Sequence, residues 1–242
     1  MTKVLLLAGG SPHAHDFGSI GDALELMLSD RGHEVDRVGH PDVAAEFLRA
    51  GGVDVLMVHG LWWRMLDDVY APWREHSYST APETAATFEH FVRDGGGLVA
   101  LHTAPICFDD WPGWGEVIGA SWRWGTSSHP PLGPVTAQVI ADHPVVAGVS
   151  PTIELVDEVY GDLDVRDGVE PLATARRTAD DVDQPVVWTY RHGDGRVVFN
   201  GFGHDAASIN HVDNAALICQ AVDWVADGCS TSVERQGVGG AA

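Results

Sequence analysis

Short unbroken apolar runs alternate with segments of helical spacing through the first hundred residues. Residues 3–8 (Lys-Val-Leu-Leu-Leu-Ala) read as a buried strand. Residues 19–31 carry apolar side chains at Ile20, Ala23, Leu24, Met27 and Leu28, one face of a helix that Gly32 ends. Residues 34–38 and 53–58 predict a second and a third strand. The third is apolar at nearly every position, as a strand covered on both faces must be. Thr80-Ala81-Pro82-Glu83 has the form of a capping box, opening a helix through Phe88, Phe91 and Val92 to Gly95. Residues 98–101 follow as a fourth strand. Strands and helices alternating at this spacing predict βαβ units and a parallel sheet.

The pattern changes after residue 110. Residues 111–134 are rich in Trp, Gly, Ser and Pro and read as a long loop with one short helix. Residues 135–140, 152–156 and 171–175 read as short strands. Residues 185–190 and 196–199 flank the turn sequence His192-Gly193-Asp194-Gly195 and predict a hairpin. An amphipathic helix over 212–225 closes the fold. With no repeat and no linker, the reading is one domain over 1–228 and an unstructured Gly/Ser-rich tail over 229–242.

Charge narrows the partners. The net charge of −21, from 35 acidic and 14 basic residues, repels a phosphate backbone or an anionic membrane surface. It leaves a neutral or cationic small ligand as the better fit. No apolar run approaches the ~18 residues of a spanning helix. The N-terminal run is broken by Gly9-Gly10-Ser11-Pro12-His13 too early for a signal peptide. Three cysteines without Cys-x-x-Cys spacing fit a reducing compartment, so a cytoplasmic protein is expected.

Candidate chemistry collects where strands end. His13, His15 and Asp16 follow the first strand, His59, Trp62 and Trp63 the third, and His102 and Thr103 the fourth. In a parallel sheet these three groups open on one edge, where α/β proteins bind ligands. His129, the run Asp157-Glu158-Val159-Tyr160, and Gly203-His204-Asp205 follow later. Each has a plainer reading. A loop histidine is usually solvated, paired tryptophans usually pack, Asp157-Glu158 fits a solvated turn, and Asp205 fits a helix cap. His33, His40, His76 and His90 read as surface residues. No Gly-x-Ser-x-Gly or Gly-x-Cys-x-Gly elbow is present, and Cys107, beside Pro105 and Phe108, reads as part of a packed turn. Gly9-Gly10-Ser11-Pro12 lacks the features of a phosphate loop. His-Glu-x-x-His and Cys/His zinc spacings are absent. His102, His129, Glu158 and His204 have ligand types suited to a divalent metal such as zinc, with water in an open position, although no local spacing demands one.

Gly95-Gly96-Gly97-Leu98-Val99-Ala100-Leu101-His102, then His129-Pro130, His143-Pro144-Val145, Asp157-Glu158-Val159-Tyr160, Pro185-Val186-Val187-Trp188, Gly195-Arg196-Val197 and Gly203-His204 occur in that order. Together they resemble the trehalose-utilisation (ThuA-like) family over nearly the whole chain. The resemblance implies the class I glutamine amidotransferase-like variant of the flavodoxin-like fold. That is a mostly parallel sheet with helices on both faces, to which the C-terminal hairpin is added. It puts His102 near the place where true amidotransferases keep their cysteine, which argues against glutamine hydrolysis. It implies a role in disaccharide or keto-sugar catabolism. The expected site has His102, Glu158 and His204 moving protons. His15, Trp62, Trp63, Thr103, Trp122, Trp124, His129 and Tyr160 would hold a neutral sugar, with flat tryptophan faces against the ring. A non-catalytic sugar-binding or regulatory module, and a metal-dependent hydrolase of another small substrate, remain as alternatives. The exposed tryptophan-rich loop is also a candidate homodimer contact.

Overall fold

The computed structural model describes residues 1–178 and 181–237. In chain order its first half contains β1 (Lys3–Gly10), α1 (Phe17–Asp30), β2 (Glu34–Val38), α2 (Pro41–Ala50), β3 (Val55–Leu61), α3 (Pro82–Arg93) and β4 (Gly97–Leu101). The second half contains α4 (Gly113–Ile118), β5 (Ala120–Ser121), β6 (Gly133–Val139), β7 (Thr152–Asp157), β8 (Asp164–Val165) and β9 (Glu170–Ala175). It closes with β10 (Gln184–His192), β11 (Gly195–Asn200), α5 (Ala206–Ile209) and α6 (Val212–Gly237).

Nine strands form one sheet in the order β2-β1-β3-β4-β11-β10-β9-β6-β7. The first five are mutually parallel, the 2-1-3-4-5 order of the flavodoxin-like fold, with β11 in fifth place. The predicted hairpin is β10–β11, paired antiparallel from Val187–Asn200 to His192–Gly195. It is the start of a larger extension, because β9, β6 and β7 continue the sheet antiparallel beyond β10.

Strand alternation divides the core into two layers. Val4 and Leu6 of β1, Val55 and Met57 of β3, and Val99 and Leu101 of β4 face α1 and α6, against Ile20, Leu24, Leu28, Leu217, Ile218 and Val222. Leu5, Leu7, Leu56, Val58, Leu98 and Ala100 face α2, α3 and α4, against Ala44, Leu48, Phe88, Val92, Trp114 and Val117. The central strands are therefore apolar throughout, and their carboxyl ends are left to carry the polar groups.

Several local expectations differ. The residues read as a capping box do not form one. Ala81 is the N-cap without a side-chain bond, and Thr80 instead donates its Oγ1 hydrogen to Asp110 at 2.7 Å. α2 has no counterpart among the expected elements; it begins at Pro41 and buries Pro41, Ala44, Ala45 and Leu48. The loop 111–134 holds the one expected short helix, α4, but also β5, which pairs with β8 as a separate two-stranded sheet. α6 continues past Val225 to Gly237, across the first part of the expected unstructured tail; residues 238–242 lie outside the described residues. Among the described residues no helix is long and apolar enough to cross a membrane.

Candidate functional site

The carboxyl end of β4 turns sharply. His102, the next residue, adopts a left-handed φ of 44°, which costs a side-chain-bearing residue about 1–2 kcal/mol. Three attachments hold it there. Its backbone N–H donates to the Asn200 carbonyl at 2.8 Å, its Nδ1–H donates to the Gly201 carbonyl at 2.8 Å, and its ring is fully buried. Nδ1 is thereby fixed as the protonated nitrogen. Nε2 is left facing the Tyr160 hydroxyl at 3.5 Å and Glu158 Oε2 at 3.6 Å. Strain of this kind, over-determined by its surroundings, is typical of functional turns.

β7 supplies the acidic pair. Its alternation buries Ile153, Leu155 and Asp157 on one side. Asp157 is therefore not a solvated turn residue but a buried pin. Its Oδ1 accepts the Glu158 N–H at 2.7 Å, and its Oδ2 accepts the Gly203 N–H at 2.8 Å and the Ser208 hydroxyl. Burial pushes its carboxyl up from the usual range despite these donors. The pin sets the 203–204 turn, where Gly203 has a φ of 133° that suits glycine. That turn delivers His204. From the other side of the turn, His59, buried within β3, donates Nε2–H to the Gly203 carbonyl at 2.8 Å.

Glu158 lies between two histidines. His129 Nδ1 is 3.2 Å from Oε1 and His204 Nδ1 is 3.4 Å from Oε2. The second is an ion-pair distance without hydrogen-bond geometry, so His204 Nδ1 is buried and unpartnered. Burial alone would raise the Glu158 carboxyl, but the flanking rings of His129, His204 and His102 hold it far below the usual carboxylate range. In return the Glu158 carboxylate raises both His129 and His204, outweighing their burial. The remaining rings go the other way. Burial lowers His15 and His59 to about 4 and His102 well below its usual value, so these three are neutral near pH 7. Tyr160, fully buried, stays protonated.

His15, His129, Glu158, Tyr160 and His204 line a cleft of about 150 Å³ together with Trp63, Tyr70, Trp122 and Trp124, while His59, His102 and Asp157 are buried behind that wall. The His15 ring centre is 4.6 Å from that of His204 and 5.1 Å from that of His102, and the His102 and Tyr160 centres are 4.9 Å apart. A larger groove of about 660 Å³ lies at the opposite, amino-terminal edge of the parallel strands, between α2 and α3. The one cluster of three potential metal ligands among the described residues is in the cleft region, so chemistry points to the smaller cavity.

Most of the expected site residues meet here, and some do not. Trp62 and Trp63 are chain neighbours with opposite directions. Trp63 lines the cleft, whereas Trp62 stacks parallel to Phe108 in the α2–α3–α4 layer and does not reach it. Thr103 is buried and directs its hydroxyl to the Gly60 carbonyl at 2.6 Å, away from any ligand. Asp16 and Asp205 cap α1 and α5. His13 stacks on Trp73 at the mouth, with ring centres 4.8 Å apart. Cys107 is buried, donates to the Gly60 carbonyl, and has its thiol pushed up to about 12, in keeping with a packed turn. Of the expected metal set, His102 and His204 lie together, but the third histidine within 4.8 Å of both is His15; His129 is occupied by Glu158. Two of the candidates take other parts than expected. His59, expected after β3, lies within it and holds the Gly203 carbonyl, and Asp157 acts as the pin of the 203–204 turn.

The fold and this histidine–carboxylate centre define a flavodoxin-like α/β protein with a buried histidine at the turn after β4. The ThuA family model, described as trehalose utilisation, matches residues 3–225, and the chain belongs to that family. No curated protein matches it. Among solved structures, a protein named as ThuA-like from Parabacteroides merdae superposes with a TM-score of 0.74 at 19% identity, covering 94% of this chain and 90% of that one. A second such protein, from Bacteroides uniformis, gives 0.68 at 19% identity, with 93% and 91% covered. A protein from Thermoplasma acidophilum, named as part of a GMP synthase, gives 0.59 at 14% identity, with 98% of each chain covered. At these identities the likenesses concern the fold.

Proposed function

We propose that this ThuA-family protein is a carbohydrate-processing enzyme that binds a neutral sugar, such as a disaccharide or keto-sugar unit, in the cleft and acts on it by acid–base chemistry. The observation that carries the reading is the opposed protonation of adjacent groups. Glu158, a permanent carboxylate, keeps protons on His129 and His204, while burial keeps His102 and His15 neutral. Environments that push neighbouring titratable groups apart are how one site holds an acid and a base at the same pH. In this reading His204 or His129 donates a proton to a departing or carbonyl oxygen, and His102 Nε2 accepts one. Glu158 is too acidic to be a good base; it orients and charges the donors. Tyr160 donates a hydrogen bond. Trp63, Trp122 and Trp124 supply apolar faces of the kind that pack on a sugar ring. Family membership supports the sugar class, and the net charge of −21 favours a neutral ligand.

The test is product formation from disaccharides and 3-keto sugars by the wild-type protein and by Glu158→Gln and His102→Ala, with binding followed by calorimetry. Acid–base help is worth about 10²–10⁴-fold, so each variant should lose turnover on that scale while keeping measurable binding. Unchanged turnover in both variants refutes the mechanism. Sugar binding without product from the wild-type protein supports the binding-module alternative instead.

A further inference from the structure

We infer that His15, His102 and His204 form a divalent-metal site, of the three-histidine kind that zinc occupies with one position open. The inference stands apart from the sugar reading, because it rests on ligand placement alone. Each ring offers one nitrogen, and the three lie within 4.8 Å of one another. They come from three distant parts of the chain: the loop after β1, the elbow after β4 and the turn after β11. A tetrahedral ion with bonds of about 2.0–2.1 Å holds its ligand atoms about 3.3 Å apart, so no edge of the trio has to close by more than about 1.5 Å.

The surroundings match what metal-binding histidines need. Such a ring usually donates its second nitrogen's hydrogen to a carbonyl or carboxylate, which fixes the tautomer and aims the lone pair. His15 donates Nδ1–H to the His204 carbonyl at 3.0 Å, and His102 donates Nδ1–H to the Gly201 carbonyl at 2.8 Å. Both Nε2 lone pairs are left over. His204 brings a buried Nδ1 with no hydrogen-bond partner. Unpartnered polar atoms at such a depth are uncommon, and a cation is one way of satisfying them. The backbone of the turn carrying His204 is itself fixed by Asp157 and His59.

The fourth side of the trio belongs to Glu158, whose Oε2 is 3.6 Å from His102 Nε2 and 3.4 Å from His204 Nδ1. A carboxylate there can either complete the coordination or accept a hydrogen bond from a water on the ion. His15, His204 and Glu158 all line the cleft, so an open position would face the ligand. A bound ion would hold the His102 Nε2 lone pair that the sugar reading uses as its base, so the two readings describe the zinc-loaded and the zinc-free protein; His129, outside the trio, stays beside Glu158 in both.

The experiment is zinc binding to the full chain after chelator treatment, followed by calorimetry and by thermal melting. The wild-type protein should take up one equivalent of Zn²⁺ and melt higher with excess zinc, since a ligand of the native state stabilises it. His15→Ala and His204→Ala, each shown by circular dichroism to be folded, should bind at least about 100-fold more weakly, a loss no smaller than that from removing an outer-shell partner. His76→Ala and His90→Ala, both exposed, should bind like the wild type. Failure of the wild type to bind zinc stoichiometrically overturns the site, as does wild-type affinity in both folded trio variants. Sugar binding by the zinc-free protein is measured separately, so that loss of one proposal leaves the other standing.

Discussion

Removing the Asp157 carboxylate should destabilise the protein and unseat His204, because one side chain serves several buried donors at once. In Asp157→Ala the N–H groups of Gly203 and Glu158, both buried, lose their acceptor, and the Ser208 hydroxyl loses its partner. A buried donor left unsatisfied costs about 1–3 kcal/mol. Two such donors give a gross loss of about 2–6 kcal/mol. Against this, the variant no longer buries a carboxylate whose ionisation is already disfavoured by its surroundings, which returns part of the loss. The net expectation is a loss of about 2–4 kcal/mol, within the 5–15 kcal/mol that domains usually have, so the variant should still fold. Asp157→Asn should lose less. Its oxygen can take the Oδ2 role toward Gly203 and Ser208, leaving an amide against the single Glu158 N–H. Urea unfolding at pH 7 with linear extrapolation gives both values. A loss below about 1 kcal/mol in Asp157→Ala, or a larger loss in Asp157→Asn than in Asp157→Ala, refutes the pin.

Three further outcomes are expected. The Glu158–His129–His204 coupling stabilises the fold fully from above the unfolded carboxylate value of about 4.3 to below the unfolded histidine value of about 6.5. It fades as pH rises through the raised folded values of His129 and His204, so wild-type stability should fall between pH 6 and 9 more than that of Glu158→Gln, as urea midpoints would show. Gly203→Ala forces an alanine to a φ of 133° and puts Cβ 3.1 Å from Ile209 Cδ1 and 3.2 Å from His59 Nε2; it should cost about 1–3 kcal/mol, read by thermal melting. With its thiol pushed to about 12, Cys107 should resist iodoacetamide at pH 8 in the native protein and react on unfolding, as peptide mapping would detect.

The parallel half of the fold was legible because β1, β3 and β4 are covered on both faces, which leaves continuous apolar runs in the sequence. α2 was not, because its buried face is only Pro41, Ala44, Ala45 and Leu48, and alanine and proline mark a buried face weakly. The site was legible in its parts. His102, Glu158 and His204 do converge, since each follows the carboxyl end of a strand that opens on the same edge, and His129 joins them from the loop before β6. One further signal lies in the sequence. Alternation through Ile153 and Leu155 puts Asp157 inward, so it could not be a solvated turn. Trp62 and Trp63 lie beyond the end of β3, and no strand periodicity says which of them lines the cleft. The choice of His15 over His129 beside His102 and His204 depends on how the loop after β1 folds back, and no periodicity encodes that.

The elbow at His102 bonds through its backbone and its ring to Asn200 and Gly201, about a hundred residues further along. Contacts of such separation carry a large loop-closure entropy and slow the folding of the chains that depend on them. During synthesis, β1 to β4 can collapse with α1 to α3 long before β11 exists. The site cannot, because β11 must slot beside β4 before His102 takes its left-handed turn and His204 arrives. The centre is therefore among the last parts of the molecule to form, and a chain that ends before β11 would have no site at all and would leave bare the face of β3 and β4 that α6 covers.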